Sequence, residues 1–123
     1  MNRKRRLQLL GTIAVVAVLC AVRARSSSAA AEQMIHLTAK KFEYGPNEIT
    51  VKKGVPVVIE IVSLDRKHGF TIPDLKVRTD VKPGATNIVR FTPDRAGTFN
   101  FHCDLFCGSG HEGMAGTLVV VEQ

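Results

Sequence analysis

The chain has 123 residues, a formal net charge of +6, 45% hydrophobic residues, 6% aromatic ones and no Trp. Six of its 17 basic residues (Arg3, Lys4, Arg5, Arg6, Arg23 and Arg25) and none of its 11 acidic ones fall in the first 31 positions, which leaves eleven of each sign beyond them. That remainder is formally neutral, so the chain's positive charge is no argument for nucleic-acid binding, which needs a basic face on the folded domain, and its 92 residues suffice for one compact domain and no more.

The first segment reads as a targeting leader. A positively charged patch from Asn2 to Arg6 precedes an apolar run from Leu7 to Val22, and the small stretch Ser26-Ser27-Ser28-Ala29-Ala30-Ala31 comes after it. This order predicts a secretory signal over residues 1–31 cleaved after Ala31. The apolar run of 16 residues is shorter than the ~20 of a spanning helix but near the low end of what spans, so a single uncleaved anchor is the alternative. Either way, the folded domain is expected over residues 32–123, exported to the periplasm or the outer face of the cytoplasmic membrane. Contact with the membrane is expected only through the N-terminal segment. Cys20 lies inside the apolar run and reads as a small apolar residue there.

Beyond the leader, short runs with strand character alternate with turn residues, and no stretch carries helical periodicity over three turns. Strands are predicted over 34–39, 48–52, 56–63, 69–72, 75–81, 87–91, 98–102 and 117–122. Gly45-Pro46-Asn47, Lys53-Gly54, Pro83-Gly84 and the stretch from Pro93 to Gly97 punctuate them. Many short strands with regular turns predict an all-β sandwich or barrel.

The chemistry concentrates near the end of the chain. Cys103-Asp104-Leu105-Phe106-Cys107-Gly108-Ser109-Gly110-His111-Glu112-Gly113-Met114 holds two thiols, an imidazole and a thioether within twelve residues. Such soft donors in a cluster select copper over harder metals, and His68 is the natural distant imidazole to complete the set. Three readings compete. A mononuclear copper site uses one thiolate, two imidazoles and a weak axial Met, which leaves one Cys surplus. Cys103, Cys107, His68 and His111 would also satisfy a zinc tetrahedron, and a C-x-x-x-C pair can close as a disulfide in an oxidising compartment.

Alternation along 98–103 puts Phe99, Phe101 and Cys103 on the inner side and Asn100 and His102 outward, so His102 is expected to be a rim histidine and no ligand. His36 gets the same reading, and Met34 is expected to pack at the start of the domain. Asp104 and Glu112 are expected to be solvated carboxylates beside the ligand loop. Ser109 has no partners for a triad, and no catalytic constellation is found elsewhere.

The span from about Ile35 to Glu122 resembles a cupredoxin, and its C-terminal half resembles the dinuclear CuA domain of cytochrome c oxidase subunit II and nitrous oxide reductase. The segments that carry the resemblance are Ser63-Leu64-Asp65, His68-Gly69-Phe70-Thr71-Ile72-Pro73, Lys76-Val77-Arg78 with Asp80, Lys82-Pro83-Gly84, Ala96-Gly97-Thr98-Phe99 and the full C-x-x-x-C-x-x-x-H-x-x-M. The resemblance implies a cupredoxin-like Greek-key β-sandwich or barrel. It implies two copper ions bridged by Cys103 and Cys107, with His68 and His111 as terminal imidazoles, the Met114 thioether as an axial ligand and the Leu105 backbone carbonyl as the last. Leu105 stands where many relatives have Glu, but only its carbonyl is needed.

The resemblance further implies an electron-transfer role, with a c-type cytochrome or an oxidase-like complex as redox partners and copper-assembly factors as further ones. A copper storage or delivery protein and a truncated oxidase subunit II are the alternatives. Subunit II normally has two membrane helices before its copper domain and an aromatic patch with Trp; this chain has at most one such helix and no Trp.

Overall fold

Two β-sheets packed face to face make up the domain, as a computed structural model describes it over residues 31–123. The leader or anchor expected over 1–31 lies outside the described residues, save for its last position. Among the described residues no helix is long and apolar enough to cross a membrane.

Nine strands run in the order β1 (Gln33–Lys40), β2 (Glu43–Gly45), β3 (Glu48–Lys52), β4 (Val57–Ser63), β5 (His68–Ile72), β6 (Val77–Val81), β7 (Thr86–Phe91), β8 (Gly97–His102) and β9 (Ala115–Val121). One sheet has the order β2-β1-β4-β7 and the other β3-β9-β8-β5-β6. Two pairings are parallel, β1 with β4 and β3 with β9. The other pairs are antiparallel. The expected all-β architecture of two packed sheets is thus observed.

Side-chain alternation explains which face each strand buries. Ile49 and Val51 of β3 are buried while Glu48, Thr50 and Lys52 are exposed, and β8 buries Phe99 and Phe101 between exposed neighbours. Strand β4, which runs between β1 and β7, departs from this by burying Val58 as well as the inward Val57, Ile59 and Ile61. Leu37, Ile59, Ile61, Phe70, Ile72 and Leu118 fill the space between the sheets, each at most 2% exposed. Truncating one of them to Ala costs roughly 2–5 kcal/mol.

Three sequence expectations are corrected. Strand β2 was absent from the predicted set, because a three-residue strand before Gly45-Pro46 leaves no alternating run to detect. Leu75 and Lys76, expected in a strand, instead close a 3-10 turn over Pro73–Leu75, after which Lys76 adopts a left-handed conformation with φ 56°. Pro73 opens that turn because its fixed φ suits a first helical position. Met34 does not pack into the domain; it projects outward from β1 and is 48% exposed.

The fold gathers at one end the loop before β5 and the loop between β8 and β9. The first delivers His68 and the second delivers Cys103, Leu105, Cys107, His111 and Met114. Below them Tyr44, Phe70 and Phe101 pack edge-on or tilted, with ring centroids 5.2–5.8 Å apart. Such pairs contribute about 0.5–1.5 kcal/mol each beyond area burial, so the loops rest on a rigid aromatic floor.

Candidate metal centre

His68 is the first residue of β5 and fully buried. Its Nε2 lies 2.6 Å from Asp65 Oδ1, while its Nδ1 is buried without a hydrogen-bond partner among the described residues. A buried polar atom without a partner is costly in a native fold and calls for an explanation. Here the His68 ring shares a small volume with two thiols: one donor atom each from His68, Cys103 and Cys107 lies within 4.8 Å of the others. A metal ligated at Nδ1, with the opposite nitrogen donating to a carboxylate, is the usual arrangement of a ligand histidine.

Cys103 stands just past the end of β8, 3% exposed, and its backbone N–H donates to Met114 O at 3.0 Å, tying the two ends of the loop together. Its Sγ lies 3.8 Å from Cys107 Sγ. Both thiols are free. The Cys103 thiol donates to the Leu105 carbonyl at 3.0 Å and accepts from the Gly69 N–H at 3.3 Å. Cys107 Sγ in turn lies 4.0 Å from His111 Nδ1 and 3.9 Å from the buried Met114 Sδ. All six residues expected from the sequence are therefore brought together around the sulfur pair. His111 reaches it from the Cys107 side and does not join the close group of three. The donor set is soft, with His68, Cys103, Cys107 and Met114 buried and His111 half-buried, and it fits copper.

Several groups missed in the sequence hold these donors in place. Asp65 accepts from the Lys41 backbone N–H at 2.7 Å and the Arg66 backbone N–H at 2.6 Å. Partial burial opposes its ionisation, but these two donors and His68 outweigh that and hold the carboxyl at about 2. The spacing Asp65-x-x-His68 was the available signal, since a carboxylate three residues before a ligand histidine can turn back onto it. Arg66 donates through Nη1 to the Cys107 carbonyl at 2.7 Å, and the Ser63 hydroxyl donates to the Arg66 carbonyl. Tyr44 donates its hydroxyl to Gly69 O at 2.5 Å, and burial raises its pKa far above the phenol range.

The loop between Cys107 and His111 turns under the half-buried Phe42. Gly110 has φ 100°, and a Cβ there would stand 2.9 Å from the Phe42 ring. Only glycine meets both conditions at that point. Phe106, 73% exposed, projects from the same loop with its ring centroid 5.8 Å from that of His111.

Burial pushes the Cys107 thiol up to about 11, with neighbouring Cys103 adding to the effect. Asp104 is exposed, as expected, and it is also paired. It takes a two-pronged hydrogen bond from Arg78, with Nε donating at 2.5 Å and Nη2 at 3.2 Å. The hydrogen bond to Asp104 in turn raises the Arg78 pKa. Glu112 is exposed as expected, and so are His102 and His36, the latter 3.0 Å from Glu60.

The class of protein this defines is an all-β domain with a soft-metal centre between two loops at one end, and comparison with known proteins agrees. The chain belongs to the cupredoxin-like domain family, which matches residues 11–120. It is 39% identical over 88 residues, 72% of this chain and 65% of that one, to cytochrome c oxidase subunit 2 of Thermus thermophilus. It is 31% identical over 90 residues to the nitrous-oxide reductase of Pseudomonas fluorescens, covering 70% of this chain and 14% of the reductase. The periplasmic domain of cytochrome oxidase subunit II of Bradyrhizobium japonicum shares the fold with a TM-score of 0.68 at 23% identity, covering 74% of this chain and 85% of that domain. The chain thus spans less than two thirds of the oxidase subunit it matches. Similarity to the oxidase subunit and the grouping of His68 with Cys103 and Cys107 together support copper binding.

Proposed function

We propose that this chain is an exported copper electron-transfer protein whose centre holds two copper ions bridged by Cys103 and Cys107. His68, His111, the Met114 thioether and the Leu105 carbonyl would hold the ions together with the two thiolates. The observation that carries this reading is the arrangement around the sulfur pair. His68 joins both sulfurs within 4.8 Å, whereas His111 Nδ1 lies 4.0 Å from Cys107 Sγ and outside that group. A single tetrahedral ion would draw both imidazoles to one point. Two metals sharing both sulfurs separate them.

A thiolate-bridged copper pair supplies one-electron transfer with little change of ligand geometry. The residues of this chain supply the rest. Strands β5, β8 and β9 fix the ligands, burial of both thiols excludes water, and the hydrogen bond from the Gly69 N–H to Cys103 Sγ tunes the sulfur's electron density. The redox partner we infer is a c-type cytochrome or an oxidase-like complex, because this chain covers far more of the oxidase subunit than of the reductase. Copper-assembly factors are the inferred source of the metal. Residues 1–31 direct or anchor the domain 32–123 outside the cytoplasm, as the charge and hydropathy order of that segment supports.

Metal analysis of the copper-loaded chain together with its EPR spectrum tests the reading. Two coppers per chain and hyperfine structure from both nuclei are expected. One copper per chain with a single intense blue absorption band would overturn it.

A further inference from the structure

Arg78 stands on β6, a strand that carries none of the proposed ligands, yet its guanidinium reaches the residue after Cys103. Nε and Nη2 donate to the two oxygens of Asp104, the forked geometry in which Arg fixes a carboxylate most firmly. Nη1 lies 2.8 Å from Asp80 Oδ1, and the second Asp80 oxygen lies 3.4 Å from Lys67 Nζ, so the guanidinium is itself held in place. Asp104 is thereby drawn over β5. A Cβ on Gly69 would collide with Asp104 Oδ1 and would stand 3.2 Å from the Leu105 backbone nitrogen. Gly69 is the residue after His68 and donates to Cys103 Sγ. The missing side chain at Gly69, the fork from Arg78 and the thiol contact therefore converge on one segment, 103–105.

We propose that Arg78 is a positioning residue for the metal centre: through Asp104 it sets where the Cys103 thiol and the Leu105 carbonyl stand relative to His68. Asp104 links the two groups covalently, and they lie 3.0 Å apart. Any rotation of the Asp104 backbone moves both. Pairing of β5 with β6, in which Thr71 faces Arg78 and His68 faces Val81, makes the anchor part of the same strand pair that presents His68. An ion pair at the surface contributes little to global stability, so its effect is on local geometry. The consequence for copper rests on the two-copper function proposed for the centre; the consequence for the thiol does not.

The test is a double-mutant cycle in the full chain with Arg78→Met, Asp104→Asn and the two combined. In the copper-free protein each single variant should alkylate at Cys103 severalfold faster than the wild type, with the thermal midpoint nearly unchanged. In the copper-loaded protein each should lose metal to a chelator roughly 10-fold faster, the size typical of losing a group that orients a ligand, with altered EPR hyperfine splitting. The double variant should match the more affected single one, and Arg78→Lys, which keeps the charge but not the fork, should fall between. Equal alkylation rates in wild type and variants, or single effects that simply multiply in the double variant, would overturn the proposal. Faster alkylation that only tracks a lowered thermal midpoint would overturn it as well. A wild type without the two-copper spectrum would overturn the functional reading and leave the thiol measurement to decide this one.

Discussion

The imidazole of His68 is held at one nitrogen and left free at the other: Nε2 lies 2.6 Å from Asp65 Oδ1, and the buried Nδ1 has no hydrogen-bond partner among the described residues. Asp65 thus selects the tautomer that offers Nδ1 to a metal. It also accepts from the backbone at Lys41, next to Phe42, whose ring covers the glycine turn of the other ligand loop. One carboxylate therefore joins both halves of the centre. Asp65→Ala should weaken copper binding about 10- to 100-fold, as measured by competition with a chelator. Unchanged affinity would show that burial alone orients His68.

The same carboxyl carries a stability term with a definite sign. It is held at about 2 in the folded domain against an ordinary 3.8. Its contribution is therefore fully present above the ordinary value and is lost as pH falls through about 2. Acid unfolding of the copper-free domain should have a shallower pH dependence between about 4 and 2 in Asp65→Asn than in the wild type. Parallel curves across that interval would rule out the assigned hydrogen bonds as the cause.

Copper loading should release protons. The Cys107 thiol, raised to about 11 by burial and by Cys103, is protonated at neutral pH in the metal-free protein. A metal must displace that proton, so apparent affinity should rise with pH until about 11, by about tenfold per pH unit for each thiol proton displaced. Calorimetry in buffers of different ionisation enthalpy counts the protons. Uptake without proton release would mean the thiols are already ionised.

Much of this architecture was legible in the sequence because alternation is a strict geometric signal. The period of two in 98–103 correctly turned Phe99, Phe101 and Cys103 inward and His102 outward. Spacing of soft donors singled out Cys103, Cys107, His111 and Met114, since these side chains share one loop and its neighbouring strand end, whereas the Leu105 carbonyl came only from the family resemblance. What escaped were groups whose role depends on a distant partner. Arg78 and Asp104 are 26 positions apart, and Lys41 and Asp65 are 24 apart. Neither pair leaves a local pattern. The parallel pairing of β1 with β4 and β3 with β9 escaped for the same reason. Short β2 and the turn at Pro73 escaped because three residues are too few to show a period.

Histidine substitutions separate ligands from bystanders. His68→Ala and His111→Ala should lose or deform the copper spectrum, because each removes the one imidazole near its part of the sulfur pair. His102→Ala should leave it nearly intact, since that side chain is exposed on the outer side of β8. Absorption spectra of the three copper-loaded variants decide the matter. Loss of the spectrum in His102→Ala with retention in His68→Ala would reverse the facing assigned to β8 and β5.

Leu105 supplies the last prediction, because its backbone oxygen and its side chain do different work. The carbonyl accepts from the Cys103 thiol at 3.0 Å and so already points into the centre. The side chain is half-buried against the core beside Gly69. Leu105→Gln keeps the volume similar and leaves the carbonyl in place, so copper should bind with its stoichiometry unchanged. The polar amide changes the surroundings of the sulfurs, and the reduction potential should therefore shift modestly. Voltammetry of wild type and variant alongside metal analysis provides the check. A variant that no longer holds copper would show that packing of the Leu105 side chain, rather than its backbone oxygen, is what the centre requires at this position.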